Sequence, residues 1–270
     1  MRFYKFILYI IISLAAFVLL YYGVLYDNSK PYRLYNEAIN ASADNNIDAA
    51  EHDFKIIIKR YPNNPYRKNA LYQLALLDYL YLKDYPAALE HFYDLVYTYP
   101  HYDRTFNAYM YIADIYKEHQ NSPDKAIEIY EKLLQITDSH ENEKLIFPKL
   151  AETYERIGDI SKAIGCYERL IKIFNKPPAH YVYELAYLKY LKGLYTEAIT
   201  NFQMVCSLYP DSKYAFHATL GIADCYEETG RSVDALSLLE HLKTNSPIET
   251  TVLNIKIDSI KKRLSNKAIK

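Results

Sequence analysis

Side chains that could do catalysis are numerous in this chain, but their spacing matches no common catalytic motif. The eight histidines never lie three to five residues apart, so no helical metal-binding pair arises. A phosphate-binding G-x-x-x-x-G-K loop and a G-x-S-x-G nucleophile turn are both missing from the sequence. Carboxylate pairs occur on polar helix faces, where they are usually solvated. We therefore expect a protein that is not an enzyme and uses no metal or cofactor.

The three cysteines, Cys166, Cys206 and Cys225, are too few for a disulfide framework. All three fall within expected helices, where packing is the ordinary role of a buried cysteine. Cys206 and Cys225 belong to neighbouring expected helices, which leaves a disulfide between them open.

Tyrosine is the most abundant remaining group, with 31 residues against no tryptophan. A tyrosine ring offers a broad apolar face, a hydroxyl group and little rotamer entropy, which suits recognition of other proteins. The same residue can equally serve as packing. The chemistry that this composition favours is binding, and it depends on the helices that position the rings.

The helices follow from a repeat that is marked by alanine. One series of six alanines recurs at intervals of 37, 38, 38, 35 and 37 residues, and a second series follows it by 12 or 13 residues. A large side chain stands four residues after each second-series alanine, on the same helix face. This period is typical of stacked helix hairpins, in which alanine lets two backbones approach. The first series is Ala38, Ala75, Ala113, Ala151, Ala186 and Ala223; the second is Ala50, Ala88, Ala126, Ala163, Ala198 and Ala235; the large side chains are Phe54, Phe92, Tyr130, Tyr167, Phe202 and Leu239.

Turn residues keep the same period. Three glycines and Asn45 lie seven residues after a first-series alanine, where a left-handed residue would end the first helix. Repeats two and three lack glycine at this place and carry one extra residue, which predicts a longer loop. Four prolines lie twelve residues after a second-series alanine and would end the second helix. The glycines are Gly158, Gly193 and Gly230, and the prolines are Pro62, Pro100, Pro210 and Pro247.

This pattern resembles the tetratricopeptide repeat family, which has small residues at both alanine positions, glycine in the turn, an aromatic after the second alanine and a terminal proline. The resemblance covers residues 31–247 and rests on six copies. It implies an all-α fold: a right-handed α-solenoid of about six helix hairpins, followed by a capping helix. Two segments, YPNNPY at 61–66 and YPDSKYA at 209–215, are more narrowly similar to envelope repeats of the Tol-Pal accessory and outer-membrane assembly types.

The N-terminal residues predict a membrane anchor. Residues 6–26 carry no charge, and their 21 residues would span a bilayer core of about 30 Å. The run is longer than the apolar core of a cleaved signal peptide. We expect a short head at 1–5, a transmembrane signal anchor at 6–26 and a linker at 27–30, with the lipid bilayer as a partner. The flanking charges nearly balance, so the envelope resemblance sets the expected location: a single-pass bacterial inner-membrane protein with periplasmic repeats.

The C-terminal residues carry most of the positive charge. The whole chain has a formal net charge of −1, which gives no basic field for nucleic acid. The segment 249–270 is nevertheless +4, and its apolar residues follow a helical spacing. We expect a capping helix at 248–264 that covers the last repeat, followed by a disordered tail at 265–270.

A partner-binding groove can be located from the alanine register. In a curved stack the first helices line the inner surface, so residues six and three before the first alanine, and one, four and five after it, should face the groove. Repeats two and five present tyrosine-rich patches there, and repeats three, four and six present mostly acidic side chains. The predicted groove residues are Asn69, Tyr72, Leu76, Tyr79, Asp114, Lys117, Glu152, Glu155, His180, Tyr183, Tyr187, Tyr190, His217, Asp224 and Glu227.

Two features limit this prediction. The tyrosines of repeat five can also be read as packing residues. The two-carboxylate clamp of chaperone-binding relatives is missing, because Lys68 is followed four residues later by Tyr72 rather than asparagine.

The predicted function is a non-catalytic, membrane-anchored adaptor that binds other proteins or peptide segments through this groove. Two alternatives stay open from the sequence. One is an accessory subunit of an envelope biosynthetic or secretion complex, and the other is a scaffold that assembles with copies of itself.

Overall fold

The computed structural model describes residues 10–18, 29–245 and 250–268, and every regular element in these ranges is helical. Residues 10–18 are helical, and thirteen helices follow. The helices are α1 (Ser29–Ala43), α2 (Ile47–Arg60), α3 (Tyr66–Leu77, continued by a π-helical turn at Asp78–Leu82), α4 (Tyr85–Thr98), α5 (Thr105–Glu118), α6 (Pro123–Ile136), α7 (His140–Arg156), α8 (Ile160–Ile173), α9 (Ala179–Leu191), α10 (Tyr195–Leu208), α11 (Lys213–Glu228), α12 (Ser232–Asn245) and α13 (Thr250–Ala268).

These helices form two compact units. Unit 1 comprises Met1–Asn121 and contains α1 to α5, and unit 2 comprises Ser122–Lys270 and contains α6 to α13. Repeats one and two fall within unit 1, and repeats four to six fall within unit 2. The third repeat contributes its first helix to unit 1 and its second helix to unit 2.

The repeat register that the alanines predict is confirmed. All twelve alanines of the two series are fully buried, and so are the large side chains four residues after the second series, the least buried being Tyr167 at 6% exposed. In unit 2, for example, Ala186, Ala198 and Phe202 share one core cluster with Val182. Alanine at both positions therefore allows the close helix contact that the spacing implies.

The left-handed turn residues are also confirmed. Gly158, Gly193 and Gly230 have φ values of 80°, 76° and 77°, and Asn45 has a φ of 60°. Glycine adopts this conformation without strain, and asparagine tolerates it better than most residues.

Repeat two differs from the predicted longer loop. Its extra residue lies inside the helix, where the π-helical turn at Asp78–Leu82 absorbs it, and the N–H of Lys83 donates to the carbonyl of Asp78. Lys83 then takes the left-handed conformation with a φ of 57°. The turn also places the buried Asp78 carboxylate 2.7 Å from Nδ1 of His91 on α4. The inserted residue therefore alters the end of the helix rather than the left-handed turn that follows it. The packing of the two flanking helices sets the geometry of that turn.

A close helix contact that the sequence analysis missed involves Gly221 on α11. A Cβ atom at Gly221 would lie 2.6 Å from Cζ of Phe202, so the ring of α10 packs directly on the glycine. Gly165, in the middle of α8, has no atom within 4 Å of the same position. Of these two helical glycines, Gly221 is therefore the one that packing requires.

The C-terminal helix α13 covers the last repeat. Its buried Leu253, Ile257 and Ile260 join a core cluster with Ala223 and Leu239. The helix extends to Ala268, so residues 265–268 of the predicted tail are helical. Pro247 lies outside the described residues.

The three cysteines are free. Cys206 lies 3.5 Å from the hydroxyl of Thr219, while Cys225 is fully buried in the core of unit 2. The disulfide that the sequence left open between them does not form.

The predicted single-pass membrane localisation is wrong. Among the residues that the structure describes, no helix combines the length and apolar character that a membrane crossing needs. The other positions of the predicted anchor, 6–9 and 19–26, lie outside the described residues, as does the head at 1–5.

Candidate functional site

Helix α9 carries an aromatic surface in unit 2. Its buried side places Val182, Leu185, Ala186 and Leu188 in the core. Its other side carries three tyrosines and a leucine, which we call the α9 tyrosine surface. These residues are Tyr183, Tyr187, Tyr190 and Leu191.

The rings of the α9 tyrosine surface form a continuous array. Tyr183 and Tyr187 are nearly parallel, with ring centroids 6.4 Å apart and an interplanar angle of 3°. Tyr190 follows at 6.5 Å from Tyr187. Tyr187 is 41% exposed and Leu191 is 54% exposed, whereas Tyr183 and Tyr190 are half-buried. The first ring therefore supports the others, and the surface open to a ligand centres on Tyr187 and Leu191.

Helices α10 and α11 bring further rings to the same place. The ring of Tyr183 lies 5.7 Å from those of Phe202 and Tyr214, and 6.4 Å from that of His217. His180, near the start of α9, lies 6.3 Å from Tyr214. The structure thus places the predicted residues His180, Tyr183 and His217 around one cluster, together with Tyr214, which the groove register did not select.

Carboxylates of α7 and α9 lie close enough to affect one another, and Glu184 of α9 also acts on Tyr183. The hydroxyl of Tyr167 donates to Oε1 of Glu155 at 3.0 Å. Burial raises the pKa of Glu155, and the neighbouring charge of Glu152 adds to the increase. Burial likewise raises the pKa of Glu184 on α9, with a further contribution from Glu155. Partly buried carboxylates that repel each other favour a cation beside them.

Two predicted acidic groove residues are engaged by the capping helix instead. Asp224 pairs with Nζ of Lys256, and Oε2 of Glu227 accepts from Arg263 at 2.7 Å. Two cations of the capping helix therefore pair with two carboxylates on the first helix of repeat six. Neither carboxylate offers an open charge to a ligand, which corrects their assignment to the groove.

Unit 1 needs two corrections as well. Tyr72 is only 4% exposed, because its ring packs against Phe92 with centroids 6.2 Å apart. Lys117 is 5% exposed, with its Nζ 3.0 Å from Oε1 of Glu118. Both residues are buried, so neither can line a groove.

The remaining predicted residues of repeats two and three are half-buried. Tyr79 contacts the rings of Tyr85 and Tyr111 at 6.1 and 5.5 Å. Leu76 and Asp114 are also half-buried. These side chains are partly packed against neighbours and partly exposed. A packing role is the alternative that the sequence leaves open for tyrosine.

Asn69 belongs to a different feature, a cleft of about 550 Å³ in unit 1. It is lined by α1, by the start of α3 and by the connection from α4 to α5. We call this the unit 1 cleft. Its lining residues are Tyr35, Lys68, Asn69, His101, Tyr102, Asp103 and Arg104.

Sequence reasoning missed the unit 1 cleft because its residues are far apart in the chain and mostly precede the helices. Apart from Tyr35, they share closeness to Pro65 or Pro100, in the connections between one repeat and the next. Among the described residues, no group of three or more histidine, cysteine, aspartate or glutamate side chains is arranged to hold a metal ion.

Comparison with known proteins identifies the class to which this fold belongs. Two family models of the tetratricopeptide repeat match the chain, one at residues 104–176 and the other at residues 149–213. The predicted tetratricopeptide repeats are therefore confirmed for residues 104–213. Repeats of this kind are typically non-enzymatic scaffolds for protein interaction.

Solved structures of the same fold extend beyond the matched residues. A tetratricopeptide repeat protein from Parabacteroides merdae is 18% identical, with a TM-score of 0.54 and 89% coverage of each chain. YrrB, described as a tetratricopeptide repeat protein with an unusual peptide-binding site, is 14% identical, with a TM-score of 0.54 over 76% of this chain and 97% of its own. MamA is 19% identical, with a TM-score of 0.51 over 65% of this chain and 89% of its own. At these identities the likeness concerns the fold alone.

No curated protein matches the chain by sequence. None of the similarities supports the narrower resemblance to Tol-Pal accessory or outer-membrane assembly repeats.

Proposed function

We propose that this protein is a non-catalytic scaffold that binds a peptide segment of a partner protein on the α9 tyrosine surface. The observation that carries the proposal is the stacked array of Tyr183, Tyr187 and Tyr190, which ends in the exposed Leu191. A rigid row of rings offers apolar contact at little entropic cost. YrrB, a protein of the same fold, carries a peptide-binding site, which supports a peptide as the class of ligand.

The charges beside the rings favour a partner with basic and apolar side chains. Glu155 and Glu184 both have a pKa raised by burial, so each gains from a nearby cation. A lysine or arginine of the partner can lie over the exposed face of Tyr187 and approach these carboxylates. Leucine-like side chains of the same segment would cover Leu191.

The test is fluorescence anisotropy of the full chain with a labelled probe peptide of about twelve residues, in which leucine and lysine alternate. A second probe replaces lysine by glutamate. The double variant Tyr187→Ala, Leu191→Ala removes the two most exposed members of the surface. Tyr183 is left intact, because it packs on Phe202 and supports the fold.

Tyr97→Ala is the matched control, since Tyr97 is 70% exposed but lies on the second helix α4. We expect the lysine probe to bind more tightly than the glutamate probe, and the double variant to weaken its binding about tenfold or more. The control should keep the affinity within about twofold. Equal affinity of wild type and double variant, with unchanged helical content, would contradict the proposal.

A further inference from the structure

The unit 1 cleft contains two cations that no carboxylate neutralises. Nζ of Lys68 lies 4.8 Å from the ring centroid of Tyr102, and the guanidinium of Arg104 lies 5.0 Å from that of Tyr72. Within the described part of the chain, neither cation forms an ion pair. The adjacent Arg67 differs, because its Nη2 lies 2.7 Å from Oδ2 of Asp94. Lys68 and Arg104 therefore differ from their neighbour Arg67, whose charge is already paired.

The tyrosine faces hold these cations and leave most of their N–H groups available, although the guanidinium of Arg104 also interacts with the Tyr72 hydroxyl. A cation over a ring is attracted by the ring's negative face, and its N–H groups on the other side remain available. Tyr102 is itself fixed, since its hydroxyl donates to Oδ1 of Asn69 at 2.7 Å. Burial raises the pKa of Tyr102 to about 12, so this hydroxyl stays protonated as the donor.

The donors of the cleft point to an anionic ligand. With its oxygen engaged by Tyr102, Asn69 keeps its amide NH₂ group as a donor. The ammonium of Lys68 and the guanidinium of Arg104 supply charge, and His101 lies on the same lining. Asp103 is the single carboxylate of the lining. The unit 1 cleft therefore has more positive than negative charge and several hydrogen-bond donors, although the whole chain has a net charge of −1.

We propose that the unit 1 cleft binds a carboxylate of an acidic peptide segment. Arginine binds a carboxylate through two parallel hydrogen bonds, and lysine adds a point charge. A volume of about 550 Å³ accommodates one or two residues of a peptide rather than a whole helix. The rings of Tyr35 and Tyr102 can cover the apolar part of such a segment. This site is separate from the α9 tyrosine surface, and its test does not depend on that proposal.

The site also differs from the two-carboxylate clamp of the family. That clamp needs an asparagine four residues after the cation on a first helix, and here Tyr72 stands at that place after Lys68. Arg104 precedes α5 instead of lying within it.

The experiment uses the full chain and labelled peptides that contain a run of glutamates, with glutamine peptides as the comparison. Each peptide is prepared with a free and with an amidated C-terminus. Binding of the amidated glutamate peptide assigns the carboxylate to a side chain, and binding of the free glutamine peptide assigns it to a chain end. Binding of neither, or equal binding of all four, overturns the proposal.

Variants locate the binding. The double variant Lys68→Gln, Arg104→Gln should weaken the favoured peptide about tenfold or more. Lys59→Gln, an exposed cation at the end of α2, should change the affinity less than about twofold. Equal losses in the two variants would show general charge attraction and overturn the assignment.

A gain of affinity provides a test that misfolding cannot imitate. Asp103→Asn removes the one negative charge of the cleft lining, so the acidic peptide should bind about two- to fivefold more tightly. Unchanged or weaker binding by Asp103→Asn would place the peptide outside the cleft.

Discussion

The two units make the same left-handed turn with different residues, and their candidate binding surfaces carry opposite charge. In unit 1 the left-handed positions are Asn45, Lys83 and Asn121, whereas in unit 2 all three are glycine. Unit 1 has a cleft with unpaired cations, and unit 2 has a row of tyrosines beside carboxylates. The repeat therefore dictates where the backbone turns and which face packs. It leaves free both the residue that makes the turn and the charge of the surface, so recognition is decided separately in each unit.

The largest expected effect tests whether the two units are also separate in stability. Phe92→Ala and Phe202→Ala each remove a fully buried ring, one from each unit. Each should lower the free energy of unfolding by about 3–5 kcal/mol, through lost burial and a residual cavity. Hydrogen exchange should show the loss of amide protection concentrated in the unit that carries the change, because repeats depend mainly on their neighbours. Equal loss in both units would mean that they unfold as one.

A second prediction concerns the close contact found only in unit 2. Gly221→Ala places a Cβ atom 2.6 Å from the Phe202 ring, so we expect a loss of about 1–3 kcal/mol in urea unfolding. Gly165→Ala is the matched control in the same unit. Its Cβ meets no atom within 4 Å, and alanine should stabilise α8 by about 0.5–1 kcal/mol. The same sign for both substitutions would contradict the packing account.

The turns themselves give a third prediction, with opposite signs in the two units. Gly193→Ala forces alanine into a φ of 76° and should cost about 1 kcal/mol. Lys83→Gly relieves a φ of 57° and should stabilise by up to about 1 kcal/mol. Thermal unfolding of the two variants beside wild type measures both. A destabilised Lys83→Gly would mean that the lysine side chain contributes more than its backbone costs.

The smallest expected effect is a pH dependence in unit 2. Burial raises the pKa of Glu184 in the folded state above the ordinary value of 4.5, so the unfolded chain ionises first as the pH rises. Stability should then fall between these two pKa values and stay reduced above the folded one. Glu184→Gln removes the penalty, so its unfolding midpoint should exceed that of wild type at neutral pH. The difference should disappear as the pH falls below 4.5, and a difference that persists there would have another cause.

Much of the fold could be predicted from spacing alone. The buried alanines, Phe202 as their partner and the left-handed Gly193 all depend on residues within one hairpin. The extra residue of repeat two was predicted in a longer loop, but it lies in a π-helical turn. Either one can hold an additional residue, and only packing decides between them. The membrane localisation was wrong. It was inferred from the length and hydropathy of one segment, and no helix among the described residues has the length and apolar character that a membrane crossing needs.

The candidate sites could be predicted only in part. The α9 tyrosines follow one another on a single helix, so their register brings them together. The unit 1 cleft could not be found in this way, because Lys68 and Arg104 come from different repeats and meet their rings through packing. Asp224 was wrongly assigned to the groove for a related reason. Its partner Lys256 lies on the capping helix, so the register of α11 alone gives no sign of their contact.

The sequence by itself determined the hairpins, their register and the small residues on which they pack. These depend on helical periodicity and on backbone conformation, which act over a few residues. Only the tertiary structure decided which side chains remain open to a ligand. Tyr72 and Lys117 are covered by neighbouring helices, while Tyr187 and Leu191 stay exposed. Exposure and charge pairing are set by contacts between helices that are distant in the chain, and a local pattern carries no record of those contacts.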